Sequence, residues 1–524
     1  MATGYGKHFK PDETEQTEKA REDQIQNSAG GFVWKTANWM RLDRFLVLGA
    51  EGGSYYASER KLTKENAKTI VSLIKEDGVG VVNHVLEVSN EGRAYKNDPA
   101  LFVLALCFAE GNQETKDAAH DALPKVARIG THLFAFVEYA TSLRGWGRAL
   151  KRAVSDWYRI KDAEGLNYQL SKYRQRGGWS QRDVVRLTHP KPESPEKNQS
   201  YQYAVGKLTN FDEATSYLQA VNKVKTANNY EIAKLIREHN LPREVLPTEA
   251  LKDKEVWAAL FERMPMTAMI RNTATMTTVG LLEPMNDNTK EFIRRVNDSE
   301  VLKKARIHPI QVLAALLTYS SGQGARGSKT WTPVQSIVDG LDKSFYQTFK
   351  TVVPTGKRIM LAVDVSGSMG MGTICGVPNM TPRHGAAAMA LTIANTESDY
   401  AIYGFGTTFK ELNISPKQSL DQAMKNMSLP FQGTDCALPM LHAIEKKMEI
   451  DAFVVITDNE TWAGKMHPFE ALKTYRKKFN IPAKLVTVGM VSNGFTIADP
   501  NDAGMLDVVG FDTNAPVVIA DFIR

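Results

Sequence analysis

An all-helical array of stacked helix pairs followed by an α/β domain is the fold class that this sequence predicts, on three observations. Residues 32–355 keep an apolar period of 3.6, punctuated by helix stop signals. After residue 356 apolar strand-like runs alternate with helical stretches, the pattern of a mostly parallel sheet covered on both faces. The first of those strands, within IMLAVDVSGSM (residues 359–369), ends in Asp364 and two alternating hydroxyls, Ser366 and Ser368.

Length and composition bound the answer. A chain of 524 residues can hold two or more domains with sizeable cores. Its 3 cysteines, Cys107, Cys375 and Cys436, are odd in number and far apart, which points to reduced thiols in the cytoplasm, with the nucleus as a second compartment. The start of the chain has no apolar leader, and the longest apolar run, residues 100–109, is too short to cross a bilayer, so no membrane partner is expected. The formal charge is +6, and the excess of cations lies before residue 356. That asymmetry suits a polyanion partner for the front part, although an excess of this size also suits an ordinary soluble surface.

Taken in order, residues 1–31 are polar and lack helical periodicity, and read as a mobile tail outside the core. Residues 32–355 then form the helical domain. Asp98-Pro99 and Thr332-Pro333 place a capping side chain before a first-turn proline, Asp162 and Ser180 open two further helices, and His308-Pro309 opens another. Short helices joined by short turns suggest pairs of the HEAT or armadillo kind, without a convincing internal sequence period.

Within the array, the stretch SKYRQRGGWSQRDVVRLTHPKPESPEK (residues 171–197) carries Lys172, Arg174, Arg176, Arg182, Arg186, His189 and Lys191, with Tyr173 and Trp179 interleaved. Cations neutralise phosphates and aromatic planes stack on unpaired bases, so the composition fits RNA. The plainer reading is a solvated helix face with Trp179 in the core. Arg144-Gly-Trp146-Gly-Arg148, followed by Lys151 and Arg152, adds to the field, and by itself reads as an amphipathic helix with exposed arginines. Arg271, in the apolar and Thr-rich stretch that begins at Met264, must find a partner or face a cavity, which makes it a candidate for the inner wall of a curved array. The stretch from Gly322 to Ser328 supplies a flexible break, and Pro354-Thr-Gly356 a linker.

The last domain, residues 356–524, reads as strand and helix in alternation, and its final PVVIADFIR is either a last strand or a return to the helical part. Continuous apolar runs make buried parallel strands, and ligands collect outside the carboxyl ends of such strands. A hard cation such as Mg²⁺ takes oxygen ligands, so one carboxylate and two hydroxyls suit it. Residues i, i+2 and i+4 line one side of an extended segment, and Gly367 lets the chain turn between the hydroxyls. Thr434, in Gly433-Thr434-Asp435, and Asp458, at the end of FVVITD, could complete the shell. Alternatively the serines form a polar turn and Asp458 caps a helix. A strand-end Asp can also accept a phosphoryl group. Hydrolases that work this way usually carry a second carboxylate two residues on, where this chain has Ser366; no enzymatic activity is expected.

D-x-S-x-S followed by a Thr and a strand-end Asp resembles the metal-ion-dependent adhesion site (MIDAS) of von Willebrand factor A domains. The helical region carrying KYRQRGGWSQRDVVRLTHPKP, together with the DVSGSM domain, resembles the Ro autoantigen family, the RNA-binding proteins of Ro ribonucleoprotein particles with a TROVE helical module. The resemblance implies a ring of helical repeats with the A domain at its seam. It also implies Y RNA on the outer surface, and single-stranded ends of misfolded noncoding RNA in the central hole, in the service of RNA quality control. On this sequence, the Y RNA surface would include Lys172, Arg174 and His189, with Arg176, Arg182, Arg186 and Lys191 beside them. The metal set, holding Mg²⁺, would be Asp364, Ser366, Ser368, Thr434 and Asp458. A monomer is expected. A protein with an acidic residue could engage the metal, and a scaffold that grips an acidic partner in this way is the competing reading.

Overall fold

The computed structural model describes residues 13–49, 67–324, 328–349, 352–371, 374, 380–427 and 433–524. These fall into two compact units, one taking the described residues up to 49, residues 93–95 and everything from 349 on, the other residues 67–92 and 96–348. No helix among the described residues is long and apolar enough to cross a membrane.

The N-terminal segment supplies strands β1 (Ile25–Gln26) and β2 (Phe32–Lys35), paired antiparallel, and a helix, Asn38–Leu48. It belongs to the sheet-bearing unit.

The helical unit is built around Asp98–Glu110. Residues 99–108 are buried on every side, so this helix has no polar face and must be enclosed; Lys68–Glu91, Gln113–Val126 and Gly130–Arg144 pack on it. Later helices are amphipathic. Arg148–Arg159, for example, buries Leu150, Ala153, Val154, Trp157 and Tyr158. Between the helices Ala163–Lys172 and Gln181–Thr188 lies a hairpin of β3 (Gln175–Arg176) and β4 (Trp179–Ser180). Two expected helix starts hold in detail: the Asp162 carboxylate accepts from Gly165 N (2.7 Å), and Ser180 with Asp183 forms a reciprocal capping box. His308 likewise accepts from Ile310 N through Nδ1 (3.2 Å).

Two other starts differ. Asn97, not Asp98, precedes its helix and makes no side-chain cap, and the helix expected from Thr332-Pro333 begins at Gln335 after an uncapped Val334. Pro99 does stand in the first turn of its helix, but a proline fixes φ without specifying where the helical hydrogen bonds begin. Of the break expected from Gly322 to Ser328, residues 325–327 lie outside the described residues. The unit returns to its first helix: Arg306 Nε donates to Asn90 O (2.7 Å), and Arg128 Nη1 donates to Ser89 Oγ (2.9 Å). Both guanidiniums sit at the carbonyl end of Lys68–Glu91, where the helix dipole favours cations.

The sheet runs β11-β9-β8-β5-β6-β7, from β5 (Ile359–Asp364), β6 (Tyr400–Phe405), β7 (Phe409–Glu411), β8 (Ala452–Thr457) and β9 (Lys484–Gly489) to β11 (Met505–Val509). All neighbours are parallel except β7, an antiparallel edge. A short β10 (Phe495–Thr496) pairs with β2 instead. Every residue of β5 and β8 is buried, as central parallel strands require. The terminal PVVIADFIR is neither a strand nor part of the helical unit: Ala515–Ile523 is a helix that packs on β11.

The boundary at residue 31 needs correction. Residues 1–12 lie outside the described residues, but 13–31 are no tail. Thr14 donates to Glu470 through N and Oγ1 (3.2 and 3.1 Å), and Gln16 is fully buried. A Cβ on Gly31 would lie 1.9 Å from Thr461 O, so the chain passes where only glycine fits. Residues 32–48 also pack with the sheet rather than the helical array. Arg44, 1 % exposed, is held by both oxygens of Asp507 (2.7 Å each) and by Asn493 O and Phe495 O. Arg93 joins them through Asp512 (2.6 Å) and Asp43 (3.0 Å). Polarity of composition misled because these polar groups are buried in mutual pairs, not solvated.

Candidate metal centre and nucleic-acid interface

The two acids come together because their strands are parallel neighbours, whereas the serines leave the extended line: β5 ends at Asp364, and Gly367 is helical (φ −58°, ψ −39°). β5 and β8 are parallel neighbours, which sets the Asp364 carboxylate beside the end of β8, where Thr457 Oγ1 donates to Asp364 Oδ2 (2.7 Å). Asp364 Oδ1 accepts from Ser366 N (2.9 Å), turning the chain so that the Ser366 and Ser368 hydroxyls lie 3.0 Å apart. Asp458 follows β8 directly. Its Oδ1 accepts from Glu460 N (3.1 Å), while its Oδ2 is buried without a hydrogen-bond partner. Both carboxyls are held above their ordinary range: Asp364 is pushed up to about 7 by burial and then by the Asp458 charge, and Asp458 is raised by burial.

Two buried like charges and an orphaned carboxylate oxygen are an electrostatic deficit that a cation would offset. The oxygen-only donor set fits a hard divalent ion such as Mg²⁺. Thr434 is buried in a loop tied to the stretch after Asp458, its carbonyl accepting from Trp462 N and Ala463 N (3.0 Å each).

Three residues that support this site were not singled out from the sequence. Arg383 Nη2 donates to Val365 O (2.9 Å) and Ser366 O (3.1 Å), holding the serine turn from outside. Thr457 shares Asp364. Gln16 Nε2 donates to Asp435 Oδ1 (2.7 Å) and Met466 O (2.8 Å), and its Oε1 accepts from Thr461 Oγ1, so a residue of the N-terminal segment clamps the loops around Thr434 and Asp458. Thr457 was findable, since it precedes the strand-end Asp. Gln16 and Asp435 lie 419 positions apart, and no local pattern links them.

The basic residues occupy the end of Ala163–Lys172, the β3–β4 hairpin and the helix Gln181–Thr188. Arg174, Arg176, Arg182, Arg186, His189 and Lys191 are all exposed, and none is in an ion pair among the described residues. Two further cations differ: Arg159, before the tract, is bound to Asp156 and Glu193, and Lys197, at its end, to Glu193. Arg182 and Arg186 stand one turn apart on the exposed face. Lys172 is half-buried, donating to Tyr168 Oη (2.7 Å) and lying over the Tyr168 and Tyr173 rings. His189 ends its helix in the left-handed region, φ 48°. Arg271 is exposed, with no ion pair among the described residues, so water can solvate its charge. Its neighbours on the helix Met266–Thr278 meet two more cations, with Asn272 Oδ1 accepting from Arg243 (2.6 Å) and Thr275 Oγ1 from Lys329 (2.9 Å). Of the thiols, Cys107 and Cys436 are free and buried, and Cys375 lies outside the described residues.

A helical array joined to a sheet with paired strand-end acids defines a protein of the TROVE and von Willebrand factor A class. The TROVE domain model matches residues 25–241 and 233–317, and the Ro60 vWA domain model residues 358–523. Over 97 % of its length the chain is 42 % identical to the RNA-binding protein RO60 of Deinococcus radiodurans, covering 97 % of that protein. It is 36 % identical to the RNA-binding protein RO60 of Caenorhabditis elegans, over 97 % of this chain and 91 % of the relative. The crystal structure of the Deinococcus radiodurans RO (RSR) protein matches with a TM-score of 0.70 at 41 % identity, over 93 % of this chain and 99 % of that one. The chain belongs to the Ro60 family.

Proposed function

We propose that this protein binds RNA without catalysing a reaction on it. In this reading the helical unit takes Y RNA on its outer surface and single-stranded ends of misfolded noncoding RNAs in a central cavity, serving Y RNA stabilisation and RNA quality control in the cytoplasm and nucleus. The observation that carries it is the run of five exposed cations, Arg174, Arg176, Arg182, Arg186 and Lys191, none of them in an ion pair among the described residues. A ribose-phosphate backbone is the polyanion that such a tract attracts, and the release of counterions makes the attraction salt-dependent. The RNA-binding relatives, alike over nearly the whole chain, support the reading.

Asp364, Ser366, Ser368, Thr434 and Asp458 would hold a Mg²⁺ ion, which would neutralise the two buried acids and present a Lewis-acidic position to a partner's carboxylate. Filter binding with a small structured RNA tests the main reading. Affinity should fall steeply with salt, and substituting Lys172, Arg174 and His189 should weaken it while the helical content stays intact. Indifference to RNA, together with Mg²⁺-dependent capture of a carboxylate-bearing protein, would identify the scaffold reading instead.

A further inference from the structure

The two arginine- and glycine-flanked tryptophans of the helical unit, Trp146 and Trp179, are 33 residues apart in sequence yet stack on one another, with ring centroids 6.2 Å apart and planes 22° from parallel. Trp146 sits in the Gly145–Gly147 turn between the helices Gly130–Arg144 and Arg148–Arg159, and Trp179 opens β4 after the Gly177-Gly178 turn. Both indoles are half-buried, and the Trp146 ring N–H has no hydrogen-bond partner. The turns that carry them are bare: a Cβ built on Gly145, Gly147 or Gly178 meets nothing within 4 Å. Arg176 pairs directly across the hairpin with Trp179, and Arg144 and Arg148 bracket Trp146. All three arginines are exposed and none is in an ion pair among the described residues, although Arg144 also donates to Phe108 O (3.0 Å). The carboxylate placed nearest the hairpin turn is Glu138, whose Oε2 lies 3.0 Å from a Cβ on Gly177.

From this juxtaposition we propose that the Trp146–Trp179 pair is a stacking platform for an unpaired nucleobase of single-stranded RNA, with Arg148 and Arg176 reaching the flanking phosphates. An indole face is indifferent to which base covers it, and paired bases cannot reach it, so the platform selects for single-strandedness rather than sequence. It rests on the RNA-binding reading above and shares Arg176 with the basic tract, but adds the two indoles and makes a different discrimination.

The test compares the full chain with its Trp146→Ala, Trp179→Ala and Trp179→Phe variants in fluorescence anisotropy. The probes are a short single-stranded oligoribonucleotide, the same strand with abasic sites, and its perfect duplex. The Ala variants should bind the single strand roughly tenfold more weakly, bind the duplex and the abasic strand as the wild type does, and keep the wild-type salt slope. The Phe variant, which keeps a ring and guards against loss of folding, should fall between. Equal binding of the single strand by wild type and Ala variants overturns the platform alone, as does an equal loss on the duplex, which would mark the pair as structural. A wild-type protein that binds none of the three probes overturns the RNA reading itself.

Discussion

Asp364 and Asp458 are both raised acids in one buried pocket, and the sign of their effect on stability follows from that. A carboxyl whose folded-state pKa lies above its unfolded value near 4 adds stability at low pH, and that contribution is lost as pH rises through the folded value, about 7 for Asp364. Without metal, the sheet unit should therefore be more stable at pH 5 than at pH 8 through this pair. Mg²⁺ at the proposed site would bind the charged forms, so it should raise the melting temperature at pH 8 more than at pH 5. At a hundredfold excess over its dissociation constant the gain is about 2.7 kcal/mol. Asp458→Asn should reduce the like-charge repulsion yet abolish the Mg²⁺ response, two effects of opposite sign that differential scanning fluorimetry separates. An unchanged Mg²⁺ response in that variant would remove Asp458 from the metal set. The exposed arginines invite a second test at this scale. Arg182→Ala and Arg186→Ala should each lower the slope of log affinity against log salt by about 1 if each contacts a phosphate, and unchanged slopes would remove Gln181–Thr188 from the interface.

Among the elements, the segment formed by residues 13–31 carries the most consequence for its size. Gln16 bonds Asp435 and Thr461 at once, so Gln16→Ala takes one hydrogen bond from Asp435 Oδ1, which keeps Ala437 N, and one from Thr461 Oγ1, which keeps Cys436 N, at about 0.5–1.5 kcal/mol each. A melting temperature within a degree of wild type would show that water replaces the glutamine. The loss should also weaken the Mg²⁺ response, because the clamped loops carry Thr434 and Asp458. The β3–β4 hairpin depends on its turn instead: Gly177 and Gly178 have φ of +59° and +82°, the two positive values that a two-residue type I′ turn demands. Gly178→Ala should cost about 1–2 kcal/mol through backbone strain, read as a lowered midpoint in urea, even though its Cβ would meet no atom.

At the scale of the molecule, the sheet unit draws on three separate parts of the chain, and Arg44 shows what that interdependence is worth. Leaving Asp507 buried without its guanidinium should cost about 3–5 kcal/mol, as breaking buried pairs does. A fragment of residues 356–524 should accordingly melt well below the full chain or fail to fold, and adding residues 13–49 as a separate peptide should raise its melting point. A fragment as stable as the intact sheet unit would contradict this. The sequence by itself determined what depends on local periodicity and strand order: the helical array, the alternating α/β part, the placing of Asp364 and Asp458 at strand ends, and the concentration of cations from Lys172 to Lys191. Those features follow from which neighbours in sequence share a face. Only the tertiary structure decided that a polar N-terminal segment is buried against the sheet, that Arg93 belongs to a different unit from the helices next to it in sequence, that Gln16 holds the loops of Thr434 and Asp458, and that Trp146 and Trp179 meet. Each of these pairs groups far apart in sequence, whose mutual burial and hydrogen bonding leave no periodic trace in the residues on either side.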